Sequence, residues 1–259
     1  MSSPDNNQFS SEYSDYWRKL TQEVPSLSGV PDSEIASNVI ATLLEGHGYK
    51  FNPTLDAACG SGRLFQVLSE FSDDIDGVEM EATAADAARL SPYTNVYARA
   101  LEDFTTERKY GLIVCWAAFE VLKQNDALAV FANSLASNGI LIITAISADY
   151  QLSDLPAISA EAGAAKKGFN QFFVDTRAFS EAVPDYGLEI VRTVTFEKRG
   201  DFARASFEVF DFHIPDKSFY EFAVTLRKIG KKNSNPDSRS SWSLPVSRTF
   251  RIHQESLAR

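Results

Sequence analysis

Leu55-Asp56-Ala57-Ala58-Cys59-Gly60-Ser61-Gly62-Arg63-Leu64 reads as a short apolar strand that runs into a glycine-bearing turn and then opens a helix. Glycines in such a turn let backbone approach a ligand closely, and the first turn of a helix offers N–H groups without intrahelical partners. A dinucleotide fingerprint starting at Gly60 requires Gly or Ala at position 65, where helix and strand pack closely; position 65 is Phe. That departure demotes a nicotinamide or flavin dinucleotide. No G-x-x-x-x-G-K-[ST] run exists, so a Walker-type phosphate loop is excluded as well.

On either side of this stretch, short apolar runs alternate with amphipathic segments, the pattern of strand-helix units around a parallel sheet. Strands are expected over 54–58, 75–79, 95–98, 110–115 and 139–146. Leu64, Val67, Leu68 and Phe71 mark the core face of a helix after the first strand, residues 82–90 form an Ala-rich helix, and Leu128, Phe131 and Leu135 face the core from another. Ahead of the first strand, Pro31-Asp32-Ser33-Glu34 supplies a helix start for Ile35, Val39, Ile40, Leu43 and Leu44, with Gly46 and Gly48 as its stop. Tyr13, Tyr16, Trp17 and Leu20 share a helix face within residues 1–33. Beyond residue 150, a helix is expected over 175–183, with strands over 188–196 and 219–227. Residues 198–217 form an insert between those strands, of which 204–213 is itself strand-like.

The 259 residues carry 25 Lys and Arg against 35 Asp and Glu, a formal charge of −10, which opposes an electrostatic grip on a phosphate backbone. No nucleic-acid partner is expected. No apolar run approaches a membrane span, and Met1 to Asn7 lacks the basic and apolar regions of a signal peptide, so a cytoplasmic protein without a membrane partner is expected. Cys59 and Cys115 sit alone in separate apolar runs, and three scattered histidines complete no ligand spacing, which predicts reduced thiols and no metal. The charge is unevenly spread. Residues 227–259 hold eight basic and two acidic residues, leaving −16 on the first 226. Residues 231–259 read as a basic, polar C-terminal tail, either a flexible terminus or an arm that docks on the acidic body or an anionic ligand.

Nineteen residues beyond Gly60, the strand Asp76-Gly77-Val78-Glu79 ends on a carboxylate placed where a ribose presents its two hydroxyls, and an ionised Glu accepts both hydrogen bonds. Met80 follows it, in position to lie against an adenine face. Glycine turn, helix, second strand and terminal acid in this order point to a nucleoside site.

At these residues the chain resembles the class I S-adenosylmethionine-dependent methyltransferases, over roughly residues 35–147. The matching segments are Leu55 to Gly62, Gly77-Val78-Glu79-Met80, Tyr110-Gly111-Leu112-Ile113-Val114-Cys115 and Leu135-Ala136-Ser137-Asn138-Gly139-Ile140-Leu141. The resemblance implies an α/β, Rossmann-like seven-stranded sheet with an antiparallel seventh strand between the fifth and sixth, behind an N-terminal helical lid at 1–33. The methyltransferase domain would span 34–230, with 198–217 as an acceptor-site insert. It implies S-adenosylmethionine as cofactor: Asp56 with the backbone of Ala57, Ala58, Gly60 and Gly62 at the methionine part, Glu79 on the ribose, Met80 beside adenine, the Leu101 amide at adenine N1, and the Cys115 carbonyl facing the ammonium. Tyr16 or Trp17 would close over it. Ala58 stands where the family's first glycine is usual. Ala100 replaces a common Asp, which leaves Glu102 as the substitute partner for the adenine amino group.

The activity implied is methyl transfer to oxygen or nitrogen of a small organic acceptor, with positioning as the protein's main contribution. A base is optional, and His213 in the insert is the candidate. Eleven of nineteen Phe fall between 169 and 222. With Trp116, Phe119 and Phe172, they would either line an apolar or aromatic acceptor's pocket or form core or a homodimer interface. Glu120 would be either a first-turn acid of the next helix or a cofactor or substrate contact. The competing expectations are a protein that binds the cofactor without catalysis, and a macromolecule methyltransferase that docks through its basic tail.

Overall fold

The computed structural model describes residues 33–48, 50–199, 201, 206–230 and 242–249. The N-terminal lid expected over 1–33, with Tyr16 and Trp17, lies outside these residues apart from Ser33. In chain order the principal elements are α1 (Ser33–Leu44), β1 (Thr54–Ala57), α2 (Phe65–Leu68), β2 (Ile75–Glu79), α3 (Ala82–Ala88), β3 (Asn95–Ala98), β4 (Tyr110–Cys115), α4 (Gln124–Ser134) and β5 (Leu135–Ile146). They continue as α5 (Leu155–Lys166), β6 (Phe172–Val174), α6 (Thr176–Ala182), β7 (Leu188–Phe196), β8 (Glu208–Asp211), β9 (Glu221–Lys228) and β10 (Ser243–Pro245).

The main sheet has eight strands in the order β3-β2-β1-β4-β5-β9-β7-β8. β3, β2, β1, β4 and β5 pair in parallel, and β9 runs antiparallel between β5 and β7. This is the expected seven-stranded order, with β9 as the antiparallel strand. The eighth strand is an addition: Glu208–Asp211, from the insert, pairs antiparallel along the outer edge of β7.

Both faces of the central strands are buried, which is why β1, β2, β4 and β5 read as largely apolar runs, while the edge strands β3 and β8 stay exposed or half-buried. Along β5, Leu141, Ile143 and Ala145 enter one core cluster while Ile140 and Ile142 enter the other. The helical period in α1 turns Ala36, Val39, Ile40 and Leu43 onto the second cluster; Ala127, Leu128 and Phe131 of α4 fill the first. Each fully buried Leu, Ile or Phe contributes about 1.5–3 kcal/mol. β2 is further fixed by its fully buried Asp76, whose carboxylate accepts from Arg108, Tyr110 and Asn95 at 2.9 Å each.

Two expected elements differ in extent. The helix after β1 is one turn, Phe65–Leu68, because Ser69 Oγ returns to the Gln66 carbonyl at 2.7 Å and the chain then bends so that the Phe71 carbonyl accepts from Phe51 N. The polar tail expected from residue 231 contains a packed segment: β10 pairs antiparallel with β6, and Trp242, Val246 and Thr249 are buried. An apolar Trp and Val within a serine-rich stretch supply the contact area that composition alone conceals. Among the described residues no helix is long and apolar enough to cross a membrane, and both cysteines are buried free thiols.

Candidate functional site

In an open sheet of this kind, ligands bind outside the carboxyl ends of the strands where the strand order reverses, here between β1 and β4. The turn after β1 is built for close approach. Ala58, Gly60 and Gly62 all have left-handed backbone, with φ of 58°, 55° and 83°. At Gly62 a Cβ would also lie 3.3 Å from the Ala88 backbone. The Cys59 amide donates to the Val78 carbonyl at 3.0 Å, tying the turn to β2. The Gly60 amide then donates to Glu79 Oε2 at 2.9 Å, and the Glu81 amide donates to Glu79 Oε1 at 2.8 Å. Two amides thus fix the Glu79 carboxylate while leaving lone pairs for further donors.

Two cavities meet over this turn. The larger, about 290 Å³, is lined by Val78, Glu79, Met80, Leu101, Glu102 and Val121 among others. The smaller, about 260 Å³, is lined by Asp56, Cys59, Ser61, Arg63, Leu64 and Trp116. Ala58, Gly60 and Ala117 border both. Ala117, at the end of β4, is left-handed at φ 52°, and its amide donates to Thr144 Oγ1 at 2.6 Å. Non-glycine residues held in that region are a cost that structures tolerate mainly at functional sites.

Asp56 is 2% exposed and accepts a hydrogen bond from the Tyr93 hydroxyl at 2.6 Å. Burial pushes its carboxyl up to about 7, against the opposing pull of the Tyr93 bond and the Arg63 charge. A carboxyl so placed is completed by a cation. An ammonium with a neighbouring carboxylate suits Asp56 and Arg63, while vicinal hydroxyls suit Glu79. The residues present therefore fit an adenosyl amino acid laid across Gly60, with the nucleoside in the larger cavity.

Of the other sequence-selected residues, Ala57, Gly62 and Cys115 support the walls and line neither cavity. Glu102 lines the larger cavity while its Oε1 accepts from the Lys123 amide at 3.0 Å. Trp116 lines the smaller one. Phe119 is core, fully buried and stacked on Trp242, and the half-buried Phe172 lies in β6 outside both cavities. His213 does not join the site. It is exposed beyond β8, whose Asp211 pairs with Arg192 toward the amino end of β7, and β8 lies five strand spacings, about 24 Å, from β1.

Three buried or half-buried glutamates at the carboxyl edge complete the picture. Glu221 opens β9 opposite both Ile146 and Phe196, the last residues of β5 and β7. Glu161 of α5 is 3.6 Å from Arg199 Nη1, which also donates to the Tyr220 hydroxyl at 2.8 Å. Glu120 lies in the single 3-10 turn Phe119–Val121, ahead of α4 and outside its first turn. Desolvation pushes Glu120 up to about 7 and both Glu161 and Glu221 up to about 8, with the neighbouring Glu120 charge adding to the latter two. Sequence spacing carries no signal for this grouping, since the residues come from four distant segments. Tyr93, Ala117 and Asn170 were equally unreadable as site residues; glycine would have been the only visible mark of a left-handed position.

A methyltransferase-domain family model matches residues 16–193. No curated protein sequence matches. Among solved structures, an S-adenosylmethionine-dependent methyltransferase of Thermotoga maritima superposes with a TM-score of 0.61 at 13% identity, covering 87% of this chain and 100% of that one. The magnesium protoporphyrin IX methyltransferase of Synechocystis with bound S-adenosylhomocysteine gives 0.58 at 14% identity, covering 86% and 97%. The N-methyltransferase NodS of Bradyrhizobium japonicum with the same ligand gives 0.53 at 14%, covering 87% and 100%. These likenesses establish the fold. With the family model spanning the greater part of the chain and the glycine turn and Glu79 joined at the end of β1, the chain belongs to the class I S-adenosylmethionine-dependent methyltransferases.

Proposed function

We propose that this protein transfers a methyl group from S-adenosylmethionine to nitrogen or oxygen of a small organic acceptor. The observation that carries the reading is the contact between Gly60 N and Glu79 Oε2 at 2.9 Å, over which two cavities of different character meet. In this reading Glu79 holds the ribose, Met80, Leu101 and Glu102 enclose adenine, and Asp56 with the backbone of Ala58 and Gly60 holds the amino-acid end, over a floor backed by Ala57, Gly62 and Cys115. Trp116, which lines the smaller cavity, is in this reading the aromatic residue that contacts the acceptor. The cofactor supplies an activated methyl group on a sulfonium; the chain supplies orientation and exclusion of water. Where the acceptor must lose a proton, we propose Glu120, rather than the distant His213, as the base. It stands beside the cavity residue Val121, with its carboxyl held near 7 by burial.

Small-molecule acceptors fit an acidic body, and the Synechocystis neighbour is a methyltransferase of a porphyrin. The test is calorimetric titration with S-adenosylhomocysteine, followed by a product screen with labelled S-adenosylmethionine across amines, alcohols and phenols. Binding with labelled small product supports the reading. Binding with no product across the screen would leave a cofactor-dependent regulator, and label on protein or nucleic acid alone would replace the acceptor class.

A further inference from the structure

The segment 242–249 packs behind two walls of the larger cavity. Trp242 is fully buried; its ring centroid lies 6.2 Å from that of Phe119 with planes within 8° of parallel, and 5.0 Å from Phe179 edge-on. Phe119 opens the turn Phe119–Val121, and Val121 and Leu122 line the cavity. Between Trp242 and Val246 the same segment also holds a second wall. β10 pairs with β6, with Leu244 opposite Phe173. The Asp175 amide donates to the Trp242 carbonyl at 2.8 Å, and the Val246 amide donates to the Gln171 carbonyl at 3.0 Å. Asn170, next to Gln171, lines the cavity.

Neither wall belongs to a parallel strand. One is a single 3-10 turn held at its start by the Phe119 ring, and the other is the lead into a three-residue strand whose sheet partner is β10. Short elements of this kind are ordered by what packs on them. Among the described residues the indole N–H finds no hydrogen-bond partner, so Trp242 acts there through its ring shape.

We propose that Trp242 is a positioning residue for the cofactor: by stacking on Phe119 while β10 holds β6, the C-terminal segment sets the spacing between the two walls that enclose the nucleoside. This rests on reading the larger cavity as the adenosyl site. The test compares S-adenosylhomocysteine affinity, at a temperature well below unfolding, for the full chain and for Trp242→Ala, Trp242→Phe and Leu188→Ala. Leu188 is a fully buried member of the same core cluster at the amino end of β7, so its truncation reports loss of stability without loss of the stack. Trp242→Ala is expected to weaken binding about tenfold, with Trp242→Phe and Leu188→Ala within about twofold of the parent. Parental affinity in Trp242→Ala, or an equal loss in Leu188→Ala, overturns the proposal.

Coupling is reciprocal, so hydrogen exchange on the unsubstituted protein supplies a second measurement if Trp242→Ala does not fold. S-adenosylhomocysteine should raise protection of the Val246 and Asp175 amides, and unchanged protection overturns the proposal. Failure of the parent chain to bind the ligand at all would show first, and would remove the site reading along with this one.

Discussion

The backbone amide of Gly60 and the carboxylate of Glu79, nineteen residues apart in sequence, meet at 2.9 Å where β1 and β2 end side by side. The parallel pairing of Ala57 with Val78 leaves no other place for the two chain segments that follow. This contact links the acid proposed to hold the ribose to the glycine turn that borders both cavities.

Glu79→Ala should therefore cost affinity twice, through lost hydroxyl acceptors and through a turn released from its tether. Hydrogen bonds to a charged group contribute about 1.5–3 kcal/mol each and two are lost, so a loss of about 100-fold or more in S-adenosylhomocysteine affinity is expected by calorimetry. Glu79→Gln, which keeps one acceptor, should fall between. Wild-type affinity in the alanine variant would show the ligand bound elsewhere.

Cofactor affinity should depend on pH through Asp56. Its carboxyl sits near 7 in the free protein because burial disfavours the charge, whereas an ammonium favours the ionised form. Below pH 7 a proton must leave before the cation is held, so the dissociation constant should rise about tenfold per pH unit between 7 and 5.5. Titrations in buffers of different ionisation enthalpy should register proton release at pH 6, and Asp56→Asn should abolish the release.

The free protein should become more stable on mild acidification. Glu120, Glu161, Glu221 and Asp56 have folded values of about 7, 8, 8 and 7, all above the ordinary carboxyl range. Between pH 5 and 8 the folded state then holds more protons than the unfolded one, so stability falls as pH rises through that window and levels off above it. Melting temperature should be higher at pH 5.5 than at pH 8. Glu161→Gln should flatten the slope, and a curve rising toward pH 8 would contradict the burial of these acids.

Ala58→Gly should stabilise. A left-handed Ala costs about 1–2 kcal/mol, part of which is returned by the greater freedom glycine has in the unfolded chain. A rise of about 2–4 °C in melting temperature is expected for a net gain near 1 kcal/mol in a domain of this size. Ala58→Val should lower it instead. Because Ala58 borders both cavities, cofactor affinity measured alongside will show whether the strained backbone is itself part of the site.

Sequence by itself determined what periodicity and local stereochemistry can encode. Apolar runs buried on both faces announced β1, β2, β4 and β5, the Ala-rich stretch announced α3, and Gly60, Gly62 and Glu79 announced the turn after β1, because each signal lies within one strand-helix unit. Tertiary structure decided whatever depends on residues distant in the chain. Phe119 is core because Trp242 arrives on it from a serine-rich tail, and His213 is remote because β8 joins the outer edge of β7. The three-residue β6 and β10 carry too few positions for a period to register; they pair with each other, and β6 is also bridged to Ser147 just past β5. Likewise the raised carboxyls of Glu120, Glu161 and Glu221 arise from desolvation and proximity, which come into being only when α5, β9 and the turn after β4 close on one another at the carboxyl edge.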